Sequence, residues 1–359
     1  MKKLVILKFG GTSMGDYVSV GKNLPHLVKI IKRYQKEFEN VVVVCSALAG
    51  ETRRLKATAD GLGLNAKERD RVLAHGESYS SSLLGDFLVS CGVKAEVLGG
   101  EKLPILTNSV FGRADIKDVD VKAINQSLKK GNVVIVPGFI GRDKNGDFTT
   151  LGFDGSDTTA VSIASWMKAD KVCLFKDVNG IYSANPKKAK AQKYDEISLD
   201  DMYIFARCGA MIVHPKAIQT ALQNKFDIHI IPTFGDGAGS IITNKCPSKD
   251  IIGVGYYEDN NGEITVSVVG NDLKSIKDRL VKKFKEKGID IELKDDNKSS
   301  KHIDFRLNKK EQLDGVVKLA HRLCGLDMPD FTFVSNLKDK DQISYDPSLK
   351  STEHRSYKK

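Results

Sequence analysis

Near its start the chain carries the glycine-rich stretch Lys8-Phe9-Gly10-Gly11-Thr12-Ser13. The apolar run Val5-Ile6-Leu7 in front of it predicts a buried strand. Glycines let backbone N–H groups approach a phosphate closely, the two hydroxyls add donors, and Lys8 adds a positive charge. The stretch therefore predicts a site for an anion, suited to a polyphosphate, at the end of a strand. On these residues alone a tight turn with a solvated lysine is the alternative, because neither common phosphate-loop pattern is present.

The length and apolar content predict a globular protein of two domains. The 359 residues are enough for two sizeable cores, and hydrophobic residues make up 41% of them. No apolar run approaches the ~20 residues of a membrane span. The apolar run behind the basic N-terminus is too short for the core of a signal peptide. The sequence thus predicts a cytoplasmic protein with no membrane partner.

The net charge of +10 is spread over the whole chain and mixed with acidic residues. This diffuse pattern argues against nucleic-acid binding, and a positive field also suits an anionic substrate. The cysteines stand singly, without C-x-x-C pairs or histidines at metal-binding spacing, at Cys45, Cys91, Cys173, Cys208, Cys246 and Cys324. They predict small buried hydrophobes rather than a disulfide framework or a protein-bound metal.

Residues 1–246 alternate short apolar runs with amphipathic segments, which predicts a layered α/β domain. The predicted strands include 41–46, 94–98, 133–137, 172–175 and 228–231, and the predicted helices include 65–90 and 197–205. Gly76 lies inside the first of these helices, where glycine costs ~1 kcal/mol relative to alanine. A close approach of another segment at Gly76 would account for it.

A second motif surrounds Asp157. Gly155 and Ser156 open a predicted helix that runs to about Ala169, and its free N–H groups and positive dipole end suit an anion. Asp157 falls in the first turn of this helix, where a carboxylate is also favourable as a plain cap. Both interpretations remain open on these residues alone.

The composition shifts after the linker at Cys246, and residues 251–336 predict a second domain. The pattern there is a strand at 264–270, a helix at 276–287, strands at 289–293 and 303–307, a helix to about 324 and a possible strand at 331–334. This βαββαβ order is the ferredoxin-like pattern. Residues 337–359 form a polar tail that predicts disorder.

The motifs together resemble those of the aspartokinases, within the amino acid kinase superfamily. The string Lys-Phe-Gly-Gly-Thr-Ser is similar to the family's opening motif, and further similarity follows at 46–52, 75–78, 149–160, 176–187 and 209–215. The resemblance implies an α/β three-layer sandwich of the amino acid kinase (carbamate kinase-like) type. It also implies a C-terminal ferredoxin-like ACT domain of the α+β class, for which the remaining chain has room for one copy, and a homodimer formed through that domain.

The resemblance further implies aspartate kinase activity, in which ATP and L-aspartate give aspartyl 4-phosphate and ADP, at the entry to lysine, threonine and methionine biosynthesis. It makes Lys8 and Asp157 the catalytic pair, with Asp157 orienting Lys8, and it implies ATP with Mg²⁺ bridging the nucleotide phosphates. It assigns the nucleotide to Gly10, Gly11, Thr12, Ser13, Lys176, Asp177, Tyr182 and Lys187. It assigns the amino acid to Ser46, Thr52, Glu77 and Ser156, with Glu77 on the amino group. The acceptor carboxylate is ionised at neutral pH and needs no general base, so catalysis rests on positioning and charge stabilisation.

The chain departs from the family pattern at three positions. Phe153 stands where aspartokinases have an arginine that grips the substrate α-carboxylate, and Met211 stands where they have a lysine near the nucleotide. Asn185-Pro186-Lys187 replaces Asp-Pro-Arg. Arg113 or Arg142 is a candidate for restoring the lost grip on the carboxylate. The alternatives are therefore a kinase for another small carboxylate and a non-catalytic regulatory subunit of an aspartokinase.

Overall fold

The structure is a computed structural model that describes residues 3–152, 155–259, 261–294 and 301–328. The predicted strand at 331–334, the predicted tail and Phe153 lie outside the described residues. None of the helices in the described part combines the length and apolar character that a membrane span requires.

The larger part of the chain, through residue 243, alternates strands and helices. Its strands are β1 Leu4–Phe9, β2 Asn40–Cys45, β3 Ala95–Val97, β4 Ile105–Thr107, β5 Ile116–Val119, β6 Val133–Pro137, β7 Ile140–Arg142, β8 Phe148–Thr150, β9 Lys171–Lys176, β10 Ile181–Tyr182, β11 Lys193–Tyr194, β12 Glu196–Ser198, β13 Ile228–Pro232 and β14 Ser240–Thr243. Its helices are α1 Gly11–Met14, α2 Val20–Glu37, α3 Glu51–Gly61, α4 Ala66–Ser90, α5 Val121–Lys129, α6 Gly155–Met167, α7 Leu199–Arg207 and α8 Pro215–Asn224.

An eight-stranded sheet with the order β12-β14-β13-β9-β1-β2-β6-β3 forms the centre of this part. The strands from β13 through β3 run parallel to one another. A smaller sheet, β5-β4-β7-β8, contains a hairpin in which the antiparallel strands β7 and β8 are joined by a turn that includes Asn145 and Gly146. Continuous apolar runs form the central strands because helices cover both faces of the sheet.

Successive side chains of each central strand point to opposite faces of the sheet, so an apolar core forms on each face. The sheet and the helices on its two faces make three layers. Leu4 and Ile6 of β1 pack in one core with α6 and α8, whereas Val5, Leu7 and Phe9 pack in the other core with α2. Successive strand residues point to opposite faces, so the even-numbered side of β1 faces α6. The predicted three-layer α/β sandwich is confirmed.

The C-terminal module contains β15 Ile251–Glu258, β16 Ile264–Gly270, α9 Lys274–Glu286, β17 Ile291–Lys294, β18 His302–Leu307 and α10 Leu313–Leu323. Its antiparallel sheet has the order β15-β16-β18-β17, and both helices pack on one face through a separate apolar core. This α+β module agrees with the predicted ACT-like fold class.

Two sequence-based expectations were wrong in detail. The predicted helix 197–205 begins only at Leu199, because 196–198 form β12 and pair with β14. Strand β15 was missed, because glycine weakens a strand signal, so the module begins with two strands and not with one as the predicted βαββαβ order has it. The glycine at 255 has a structural reason, since a Cβ there would lie 2.1 Å from the carbonyl oxygen of Cys208.

Candidate functional site

A pocket of about 390 Å³ lies at the carboxyl ends of four neighbouring parallel strands, β9, β1, β2 and β6. The chain leaves β1 towards β2 on one side and returns to β9 on the other. Ligand sites in open parallel sheets form at such a switch of strand order, outside the carboxyl ends of the strands. Lys8, Ser46, Phe139 and Lys176 line the pocket, each from the end of a different strand or the loop that follows it.

The charged floor of the site is Asp157 with two lysines. Lys8 lies on the face of β1 that packs against α6, and its Nζ is 2.8 Å from Asp157 Oδ1 in the first turn of α6. Lys176, at the end of β9, donates a 2.8 Å hydrogen bond to Asp157 Oδ2. Only 1% of the Asp157 side chain and 5% of the Lys8 side chain are exposed. The carboxylate therefore holds two ammonium groups at the base of the pocket.

Opposing effects act on the pKa of Asp157. Burial by itself raises the pKa of a carboxyl, but the ammonium groups of Lys176 and Lys8 outweigh burial and hold the pKa of Asp157 well below its usual range. Asp157 is thus ionised, and the cluster carries one net positive charge, which suits a phosphoryl group.

Glu77 occupies another wall of the pocket, on α4. Its Oε2 accepts a 2.8 Å hydrogen bond from the Ala47 backbone N–H. Burial raises the pKa of Glu77 to about 8, although the Ala47 N–H and the charge of Lys8 pull it down. The predicted close approach at Gly76 is confirmed, since a Cβ there would lie 3.0 Å from Leu55 and 3.3 Å from the Cβ of Ala47. Gly76 lets α4 press Glu77 against the loop after β2.

The two predicted serines meet across the pocket. The Ser46 and Ser156 hydroxyls are 2.7 Å apart, which joins the loop after β2 to the start of α6. The Ser80 hydroxyl of α4 also donates to the Ser46 carbonyl at 2.7 Å, so this loop is held from two sides.

Most of the predicted site residues come together in the lining of this pocket. The members of the lining are Lys8, Gly10, Gly11, Thr12, Ser46, Thr52, Glu77, Ser156, Lys176 and Asp177. Four predicted residues lie outside the lining, namely Asp157, Ser13, Tyr182 and Lys187, although Asp157 is ion-paired with the lining residues Lys8 and Lys176. The Ser13 hydroxyl is buried 2.5 Å from the Thr233 hydroxyl, so it is committed to the contact between α1 and the end of β13.

One cation of the lining was missed by sequence reasoning. Arg53, in the first turn of α3, is exposed and lines the pocket. Arg113 and Arg142 lie outside the lining, and the Arg142 guanidinium stacks 4.9 Å from the Phe148 ring. The available signal was that Arg53 directly follows Thr52, a predicted site residue. Whether its side chain points into the pocket depends on the angle at which α3 leaves the preceding loop.

Met211 lines the same pocket as Lys176. A second cavity, of about 570 Å³, shares Met211 and is also lined by Asp157, Arg207, His214 and Lys216. Lys176 therefore places a positive charge in the region where the family pattern places a lysine at position 211. The two cavities together offer more room than a single small substrate needs.

Comparison with known proteins agrees with this architecture. Residues 3–232 match the model of the amino acid kinase family. The chain belongs to the amino acid kinase family. Within that family its relatives are the aspartokinases, and a Geobacillus stearothermophilus aspartokinase is 30% identical over 334 residues, which are 90% of this chain and 80% of that protein.

Other relatives match over a shorter range. The aspartokinase of Pseudomonas aeruginosa is 35% identical over 243 residues, which are 67% of this chain and 58% of that protein. The chain thus spans 58% of the length of several curated relatives that it matches.

Solved structures share the fold. Escherichia coli aspartokinase III in complex with aspartate and ADP superposes with a TM-score of 0.74 at 21% identity, covering 89% of this chain and 99% of that one. Aspartate kinase from Synechocystis superposes with a TM-score of 0.60 at 27% identity, covering 87% of this chain and 54% of that one.

Proposed function

We propose that the chain is an aspartate kinase, which transfers the γ-phosphoryl group of ATP to the side-chain carboxylate of L-aspartate. The observation that carries this proposal is the convergence of Lys8, Lys176 and Glu77 in the lining of one pocket, where Asp157 is ion-paired with both lysines. The cationic cluster suits phosphates, and the buried carboxyl group suits an ammonium. Aspartokinase relatives support the same assignment.

The roles follow from the geometry. Lys8 stabilises the charge that develops on the transferred phosphoryl group, and Asp157 holds the Lys8 ammonium in place. Lys176 and the backbone of Gly10 and Gly11, which line the pocket, would lie beside the phosphates. Catalysis therefore consists of positioning and of electrostatic stabilisation by groups that are already in place before ATP binds.

ATP is proposed to bind as its Mg²⁺ complex, and the metal neutralises part of the charge of the β and γ phosphates. The residue suited to hold it is Asp177, whose exposed carboxylate lines the pocket. Mg²⁺ prefers oxygen ligands and keeps several of its waters, so one exposed carboxylate together with phosphates is a fitting set.

The amino acid is proposed to bind between Glu77, Thr52, Ser46 and Ser156, with its ammonium group on Glu77. Arg53 is the cation that we assign to its α-carboxylate. Among the described residues of the lining, the other cations, Lys8 and Lys176, are both ion-paired with Asp157. Arg53 thereby takes the role that the family pattern gives to an arginine at position 153.

The experiment that tests the activity is ADP release by the purified chain with ATP, Mg²⁺ and a panel of acidic amino acids and small dicarboxylates. Turnover with L-aspartate at the highest kcat/KM supports the proposal. Preference for another acid would assign a different carboxylate kinase, and no turnover with any acid would assign a non-catalytic subunit.

We also propose that the chain forms a homodimer through residues 251–325 and that lysine inhibits it weakly or not at all. Among the described residues, one ACT-like module follows the kinase domain, which we place at 1–246. Light scattering of the full chain and a lysine titration test these points. A monomer, or strong inhibition by sub-millimolar lysine, would contradict them.

A further inference from the structure

The sheet of the C-terminal module has one face that carries polar side chains towards the kinase part. Ile303 and Phe305 of β18 pack in the core with α9 and α10. Strand alternation therefore puts His302 and Asp304 on the opposite face. Ser267 of β16 pairs with Asp304 across the ladder and lies on the same face.

Cys208 reaches this face from the kinase part. It is the C-cap residue of α7. The backbone of β15 approaches it so closely that a Cβ at position 255 would lie 2.1 Å from its carbonyl oxygen. The fully buried Ser267 hydroxyl lies beside the Cys208 thiol. A thiol, an imidazole and a carboxylate from distant parts of the chain thus meet between α7 and the sheet.

We propose that Cys208, His302 and Asp304 form a binding site for a single Zn²⁺ ion. Their ligand atoms lie within 4.8 Å of one another, and His302 Nε2 is 3.6 Å from Asp304 Oδ2. Ligands of a tetrahedral zinc ion are separated by roughly 3.3–3.8 Å, given metal–ligand bonds of about 2.0–2.3 Å. Small side-chain rotations therefore bring all three atoms onto one ion.

Two buried polar atoms beside these three residues support the binding of a cation there. Asp304 Oδ1 is buried without a hydrogen-bond partner among the described residues, and the buried Ser267 Oγ has only the thiol of Cys208, a weak hydrogen-bonding group, beside it. Unpaired buried polar atoms cost free energy, so a cation and its bound water would satisfy both. As the metal–sulfur bond forms, the Cys208 thiol releases its proton to solvent.

The ligand set determines which ion fits. A thiolate with an imidazole selects zinc over magnesium or calcium, which take oxygen ligands. Three protein ligands leave the fourth tetrahedral position to water, next to Ser267. A bound ion would crosslink α7 to the C-terminal sheet, and the chain runs directly from Cys208 to Met211 in the lining of the kinase pocket.

The test uses the full chain, stripped of metal with a chelator and titrated with Co²⁺ and Zn²⁺. We expect one ion per chain, a thiolate-to-cobalt absorption band that Zn²⁺ abolishes, and a higher midpoint of thermal unfolding with Zn²⁺. Loss of outer-shell partners alone weakens metal sites about 10–100-fold. Cys208→Ala should therefore weaken Zn²⁺ affinity by at least about 100-fold and remove the band.

Cys246→Ala is the matched control, because Cys246 is a half-buried thiol outside the cluster, and it should keep the band. Asp304→Asn keeps the shape of the side chain and decides the question if Cys208→Ala does not fold. Its affinity for Zn²⁺ should fall by at least about tenfold. No binding by the wild-type chain, a band that survives in Cys208→Ala, unchanged affinity in Asp304→Asn, or loss of the band in Cys246→Ala would each overturn the proposal.

Discussion

The Lys8 ammonium and the Asp157 carboxylate lie 2.8 Å apart, which joins the end of β1 to the first turn of α6. Because both side chains are almost completely buried, the ion pair is shielded from solvent and its geometry is restricted. Lys176 binds the other carboxylate oxygen. The positive charge of the pocket is therefore positioned by the fold before any phosphate arrives.

Replacement of Lys8 by alanine should lower kcat by at least ~10²-fold, because it removes one electrostatic contact to the transferred phosphoryl group. Steady-state ADP release measures this. Lys102→Ala is the control, since Lys102 forms an exposed ion pair with Glu96 away from the pocket, and it should turn over like the wild type. Near-normal kcat for Lys8→Ala would remove Lys8 from the mechanism.

Asp157→Asn should destabilise the chain by ~3–5 kcal/mol at neutral pH, because it leaves buried ammonium groups without their counter-charge. Urea unfolding followed by circular dichroism measures this loss of stability.

The stability that Asp157 contributes depends on pH. The folded-state pKa of Asp157 is depressed, so its contribution to the free energy of unfolding is present above its ordinary pKa of 3.8 and is lost as the pH falls below that value. The wild type should therefore lose its advantage over Asp157→Asn in acid. Asp60→Asn should change stability little, because Asp60 forms only solvent-accessible ion pairs, with Lys56 and Arg69. Equal stability of wild type and Asp157→Asn at neutral pH would contradict the role of the buried pair.

Binding of aspartate should release protons at about pH 7. In the protein without substrate, burial raises the pKa of Glu77 to about 8, so Glu77 is mostly protonated at pH 7. The substrate ammonium lowers that pKa, and Glu77 then ionises. Calorimetric titrations in two buffers of different ionisation enthalpy should give different heats. Glu77→Gln should abolish the difference. Identical heats for the wild type in both buffers would contradict the ionisation of Glu77 on aspartate binding.

Arg53→Ala should raise KM for aspartate about ten- to a hundred-fold and leave kcat nearly unchanged. A charge-assisted contact to the α-carboxylate is typically worth ~1.5–3 kcal/mol, and ~1.4 kcal/mol corresponds to tenfold in affinity. An unchanged kcat is the signature of uniform binding. Arg113→Ala is the control, because Arg113 is exposed and outside the pocket lining. A higher KM in Arg113→Ala together with a normal KM in Arg53→Ala would show that Arg113, and not Arg53, binds the α-carboxylate.

The sequence alone determined the elements whose causes are local. Continuous apolar runs predicted the buried strands β1, β2 and β6, because a strand covered on both faces has no polar side. Helix α4 was predicted within one residue of its observed range, and Asn65 and Glu68 form a capping box at its start. The Gly-Gly-Thr-Ser and Gly-Ser-Asp motifs located two parts of the pocket lining, because phosphate sites reuse glycine-rich strand ends and helix starts.

Only the tertiary structure decided which distant groups meet. The pairing of Lys176 with Asp157, the presence of Arg53 in the lining and the meeting of Cys208 with His302 and Asp304 depend on strand order and on the angle at which helices leave their loops. Periodicity and turn chemistry act over a few residues and do not encode those relations. Strand β15 also depends on a distant contact. Its glycine at 255 weakens the strand signal in the sequence, and only the structure shows that the Cys208 carbonyl leaves no room for a side chain there.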